Sequence, residues 1–139
     1  MGFYDIKKGG SMIELTNSEK EVMEVLLKSD QPLTAREIVI YCVNKSWKPS
    51  YIYLMINSLL EKRMIQAEGE KRSVKKYAIA YTPTLTEAEW YARKLISQTK
   101  DKNAFICTVL RELLKEIDDL EEIVELEKKI NKRKNAISQ

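Results

Sequence analysis

Between positions 47 and 57 the sequence WKPSYIYLMIN carries a lysine, a serine, two tyrosines and an asparagine, at Lys48, Ser50, Tyr51, Tyr53 and Asn57. They sit off an apolar set, Ile52, Met55, Ile56, Leu59 and Leu60, that recurs at helical spacing. The chemistry these groups offer is recognition. Lys48 and a helix N-terminus favour phosphate, and the tyrosines present hydroxyls and ring faces. The carboxamide of Asn57 matches the major-groove edge of adenine. Tyr51 and Tyr53 have a second reading, half-buried packing, because both flank the core residue Ile52. A further basic group, Lys71, Arg72, Lys75 and Lys76, follows the segment, and with Thr34 these residues complete a candidate DNA-contacting set. From Lys48 to Lys76 there are seven basic residues and three acidic ones, an excess that suits a phosphate-facing surface. Alone, such a basic stretch also reads as a solvated sheet edge guarding itself against aggregation.

Other chemistries are poorly served. The chain has no histidine, which removes Ser-His and Cys-His nucleophile systems and histidine metal sites. Its four glycines, Gly2, Gly9, Gly10 and Gly69, form no phosphate-cradling loop. Asp118 and Asp119 read as helix-start residues rather than catalytic carboxylates. No catalytic residue, cofactor or metal site is expected. Cys42 and Cys107 each lie in an apolar helical pattern, as buried free thiols do, and point to a reducing cytoplasm. No apolar run approaches the roughly 20 residues of a membrane span, so no membrane partner is expected. A net charge of +3 is too small to argue for nucleic acid, so the distribution of charge has to carry that reading.

The elements that must position these residues announce themselves by a repeated device. Thr16 with Glu19, Thr34 with Glu37 and Thr86 with Glu89 each form a Thr-x-x-Glu capping box. The first opens a helix over 17–29 with an apolar face of Val22, Met23, Leu26 and Leu27, and Pro32 prevents its continuation. The second opens a short helix with Ile38, Val39, Cys42 and Val43 inward. A Lys-Ser-Trp-Lys-Pro turn follows, with Trp47 as its core anchor, and the third helix starts near Pro49. Tyr41 and Tyr91 read as half-buried packing residues. A two-stranded hairpin is then expected, with strands at 65–68 and 74–81 and a turn at Gly69-Glu70. Beyond Pro83 the pattern is helical. Leu85, Ala88, Tyr91, Ala92, Leu95 and Ile96 form one stripe. Asn103 is a candidate cap for a last helix with a seam of Ile106, Leu110, Leu113, Ile117, Leu120 and Val124, which a second copy of the chain would cover. The tail over 132–139 reads as frayed. The reading is a mostly α fold with a small β-hairpin: a disordered leader at 1–11, a winged helix-turn-helix domain at 12–83, and a helical dimerisation arm at 84–139.

The motifs LTNSEKEVMEVLL, PLTAREI, WKPSYIYLMINSLLEKRMI and YTP, in that order over residues 15–83, resemble the DNA-binding domain of the penicillinase-repressor family. The resemblance implies a homodimeric repressor on an inverted-repeat operator of double-stranded DNA, controlling a resistance or stress operon. In the family's beta-lactam branch a sensor protease in the membrane leads to cleavage of the C-terminal domain, and the segment 102–105 is the candidate inter-helix loop for such a cut. The copper branch carries paired Cys-x-Cys motifs; none is present here, so copper sensing is not implied. The chain departs from the family pattern where threonine gives way to Tyr51 and Leu54, arginine to Ser58, and the glycine after the helix to Arg63. The wing is longer, with Arg72 standing in for the usual Gly-Arg pair. The rival reading is a winged helix that assembles with protein through the acidic stretch 105–127, which holds eight acidic and two basic residues.

Overall fold

The computed structural model describes residues 14–73 and 75–139, so the leader read at 1–11 lies outside the described residues. The chain divides into two compact units, the first running through Gln98 and the second spanning Thr99–Gln139.

In the first unit, helices α1 (Asn17–Lys28), α2 (Ala35–Tyr41) and α3 (Ile52–Glu61) pack with a three-stranded antiparallel sheet. The sheet has the order β1-β3-β2, from β1 (Leu33–Thr34), β2 (Ile65–Ser73) and β3 (Lys76–Pro83). Val22, Met23 and Leu26 of α1, Ile38 of α2, and Ile56 and Leu59 of α3 are the buried centre. Each comes from the periodic apolar face of its helix, which is why a sequence with this spacing folds here. Helix α4 (Glu87–Ser97) completes this unit rather than the arm. Trp90, which lies off the expected stripe, is 1% exposed in the core, and Lys94 pairs with Glu24 of α1 at 3.1 Å. Of the expected stripe only Leu85 is buried; Ala88, Tyr91, Ala92 and Leu95 face solvent.

All three Thr-x-x-Glu boxes close with both reciprocal hydrogen bonds. In the first, Glu19 does more than cap. Its carboxylate is buried, accepts from the Thr16 N–H at 2.8 Å and from Lys62 Nζ at 2.8 Å, and takes a short hydrogen bond from the Ser58 hydroxyl. Burial opposes its ionisation, but the donors from Lys62, Ser58 and Thr16 together outweigh that and hold the carboxyl below its ordinary value.

The hairpin differs from expectation. Its strands extend to Ser73 and from Lys76, and Gly69 lies within β2, where the register steps from Ala67↔Tyr81 to Glu70↔Ile79. Glu68 and Gly69 together oppose Ala80, a β-bulge, and Gly69 takes φ +77 there. A Cβ at Gly69 would meet nothing within 4 Å, so the backbone conformation and not space calls for glycine. The strand β1 was not anticipated. At two residues it is too short to show a period, and it exists because β3 pairs with it on the edge away from β2.

The second unit contains α5 (Lys102–Leu114) and α6 (Leu120–Ile137). Asp101, not Asn103, caps α5, accepting from the Ala104 N–H at 3.1 Å. Residues 102–105 are thus the first turn of α5, not a loop. Asp119 caps α6, accepting from the Glu121 N–H at 2.9 Å, so the expected seam crosses a break instead of following one helix. Helix α6 continues to Ile137 through the tail read as frayed. No residue of α5 or α6 is buried, and Cys107 is exposed, unlike the buried Cys42.

Removing the Glu19 carboxylate takes away the reciprocal half of the capping box and leaves the Ser58 hydroxyl without this acceptor. It also takes from Lys62 its charged partner, leaving it the Glu14 carbonyl at 3.0 Å. Glu19→Ala is expected to lower stability by about 2–4 kcal/mol at pH 7. Because the folded-state pKa is below the ordinary 4.5, this contribution is complete above pH 4.5 and is lost as pH falls through the folded value. Urea denaturation at pH 7 and pH 3 should show the gap between wild type and variant narrowing in acid; a gap independent of pH would remove the carboxylate from this role.

Candidate nucleic-acid interface

The helix-turn-helix is built on the two carboxylates of α1 that face it. Glu19 fixes α3 from its C-terminal half, through Ser58 and Lys62. Glu21 fixes the turn, accepting from the Ser46 N–H at 3.1 Å and from the Ser46 hydroxyl at 2.8 Å. Trp47 is buried as the turn's anchor, with Lys45 Nζ 5.9 Å from its ring centroid. Asn44 takes a left-handed backbone in the turn after α2, a conformation asparagine tolerates better than most residues. Pro49–Tyr51 then form a single tight turn that leads into α3.

With Ile52, Met55, Ile56 and Leu59 buried, α3 presents the opposite face to solvent. Tyr51, Tyr53 and Asn57 lie on it, with Lys48 and Ser50 exposed just ahead of the helix. Tyr51 is 49% and Tyr53 59% exposed, so both are available for contact and neither is a core residue. Leu54, noted in the sequence only as a departure, is the most exposed apolar side chain of this helix at 66%. Its exposure follows from its position between the buried Ile52 and Met55. Ser58, another of the departures, turns inward to Glu19.

Two candidates have other engagements. Thr34 is 5% exposed, and its hydroxyl oxygen accepts from the Glu37 N–H at 3.2 Å as the cap of α2. Lys71 pairs with Glu37 Oε1 at 3.1 Å, joining β2 to α2. The Thr34 N–H first, against a lesser effect of burial, and then Lys71 hold the Glu37 carboxyl below its ordinary value. The same pair lines an open cleft of about 590 Å³ between α1 and α2. Arg72, Lys75 and Lys76 are exposed, and Arg72 lies 6.0 Å from the ring of its cross-strand partner Tyr77. Tyr77 and Ile79 of β3 are exposed too and were not anticipated, since a hairpin register is needed to know which face each strand residue takes. Tyr41 and Val43 are exposed rather than packed, because α2 ends at Tyr41 and the chain turns away before its face is complete.

Hairpin and helix are coupled at the end of α3. Arg63 N–H donates to Leu60 O and Met64 N–H to Leu59 O, the paired bonds of a Schellman motif, with Arg63 left-handed at φ 60. Thr84 Oγ1 donates to Arg63 O at 2.8 Å, fastening the end of β3 to the same turn. Tyr53 also lies close enough to Tyr81 to add, after burial, to the upward push on that phenol.

Among the described residues no His, Cys, Asp or Glu cluster could hold a metal ion, and no helix is long and apolar enough to cross a membrane. The sequence profile of the family described as Penicillinase repressor matches residues 15–132. No curated protein sequence shows a significant match. Among solved structures, two variants of Lactococcus lactis ZitR resemble the chain at 16% and 17% identity. Each has a TM-score of 0.42 and covers 96% of this chain and 82% of the other.

A left-handed arginine strains the backbone by about 1–2 kcal/mol relative to glycine, partly offset by the greater freedom of glycine when unfolded. Arg63→Gly is therefore expected to stabilise the first unit by about 0.5–1 kcal/mol, read as a raised denaturation midpoint. A lowered midpoint would show that the arginine side chain makes a compensating contact.

Proposed function

The chain belongs to the penicillinase repressor family, a family of non-catalytic winged-helix repressors, and on that premise we propose that it is a dimeric repressor that silences a promoter by occupying an inverted-repeat operator. The observation that carries the proposal is the exposed polar and aromatic start of α3, with Lys48 exposed just ahead of it and Arg72, Lys75 and Lys76 exposed in the hairpin that follows the helix. Two α3 helices would enter successive major grooves about one helical turn apart, and the hairpins would hold flanking phosphates. The operon would be one of resistance or stress response, and the site of action the cytoplasm. Helices α5 and α6 would supply the dimer contact, with Ile106, Leu110, Leu113, Ile117, Leu120 and Val124 contributing from both sides of the break at Asp119. Cutting of this arm by a sensor protease would release the DNA by ending the dimer.

The proposal separates from the protein-assembly reading by salt. Affinity for duplex DNA should fall steeply with ionic strength, and Lys75→Ala with Lys76→Ala should flatten the log–log slope by about two and weaken all sequences alike. Binding that ignores salt, or no binding, would favour the assembly reading. For the dimer, Leu113→Asp with Leu120→Asp alters two side chains already exposed in the single chain. The expected result is a monomer in sedimentation with at least tenfold weaker operator binding; a dimer that persists would move the interface elsewhere.

A further inference from the structure

The reading face of α3 is short of charge. From Ile52 to Glu61 the helix holds no lysine and no arginine, and these are the side chains that most often read guanine, by bidentate bonds to O6 and N7. What the face offers is Tyr53, Leu54 and Asn57, all exposed, with Tyr51 just before them. Leu54 and Asn57 are three apart and Tyr53 and Asn57 four apart, so the three side chains are neighbours on one side of the helix. Ser58 is turned to Glu19, and Lys62 is held by the same carboxylate. Glu61, an acceptor suited to cytosine, lies in the last turn, away from the N-terminal turns that meet bases.

On the reading of this surface as DNA-binding, we infer that α3 recognises half-sites rich in A·T pairs, with Leu54 and the flanking tyrosine rings against thymine C5-methyl groups and Asn57 on an adenine edge. A lone exposed leucine is unremarkable. Here Leu54 shares the exposed side of the helix start with two half-exposed tyrosines, Tyr51 and Tyr53, and Lys48 is exposed just ahead of them in the chain. An apolar patch preceded by a basic residue matches a groove whose walls are phosphate and whose floor carries methyl groups. It suits a protein partner less well. The major groove displays the thymine methyl as its one apolar feature, so an apolar reading face is itself a sequence preference.

The test uses the full chain. Duplexes are selected from a random pool, and each thymine of the selected half-site is then replaced by uracil, which keeps the base pair and removes the methyl. The expected outcome is a half-site dominated by A·T pairs, in which one or two uracil replacements each weaken binding about fourfold. Leu54→Ala should abolish the thymine–uracil difference at the position Leu54 touches, and leave any difference at a thymine under the tyrosine rings. Asn57→Ala should lose discrimination at one adenine by about tenfold or more. Both residues are exposed, so folding is not at stake. A G·C-dominated half-site, or one whose guanine preference vanishes with Lys48→Ala, overturns the inference. So does indifference to uracil, or a Leu54→Ala variant that changes oligomeric state instead of discrimination. In those cases salt-sensitive duplex binding would still sustain the repressor reading; no duplex binding at all would end both.

Discussion

One carboxylate organises the DNA-reading unit. Glu19 closes the cap of α1 and, from the same side chain, takes a proton donor from each of two residues at the far end of α3. A buried carboxylate with fewer donors would be a liability, since desolvation favours its neutral form. With the Thr16 N–H, the Ser58 hydroxyl and the Lys62 ammonium all in place, the charged form is the favoured one. The orientation of α3 relative to α1 is thus set by a polar contact with fixed directions, and the apolar face of α3 supplies the adhesion. Hydrophobic packing alone would tolerate small rotations of α3, and a rotation of a few tens of degrees would redirect Tyr53 and Asn57.

Glu37 repeats the device on a looser scale. It too completes a capping box and takes a lysine from a distant element, but its pair with Lys71 is partly exposed and correspondingly weaker. The difference suits the two elements. The hairpin is already held at its base by Thr84 and by the strand pairing of β3, so Lys71 need only bias its lean toward α2. In the third box Glu89 only caps α4, and the attachment of that helix comes from burial of Trp90 and from the pair between Lys94 and Glu24.

What could be read in the sequence was whatever depends on local spacing. The three capping boxes, the helical apolar faces and the anchoring Trp47 all follow from residues within a few positions of each other. The strand β1, the bulge at Gly69 and the burial of Trp90 depend on partners far along the chain, and no local pattern announces them. The glycine was seen as a turn residue, for the right reason, its left-handed freedom; the register of β3 decides that it serves in a bulge. On the exposed face proposed to read DNA, Ser50, Tyr51, Tyr53 and Asn57 are separable from the core by period alone. The engagement of Thr34 with Glu37 follows from the capping box itself, whereas that of Lys71 does not, because only the fold brings Lys71 to the same carboxylate. The break between α5 and α6 was hidden by an apolar spacing that runs through it, although Asp119 was already legible as a helix-start residue.

The two units differ in what they need. The first has a buried cluster drawn from every one of its helices except the last turn of α4, together with the sheet. The second has two helices of 13 and 18 residues and no buried residue. Helices of such length are marginal in water without packing, and Leu113, Leu120, Ile130 and Ile137 are exposed in the single chain. If a second copy covers them, as proposed, the arm is ordered by assembly while the winged unit is ordered by its own core. Disrupting the arm would then leave a folded reader with one half-site's affinity, because the effective concentration that links two half-sites vanishes with the dimer. Release of the promoter would need no change at the DNA-contacting surface, so the tight Glu19 anchorage of α3 and a readily reversed repression are compatible within one short chain.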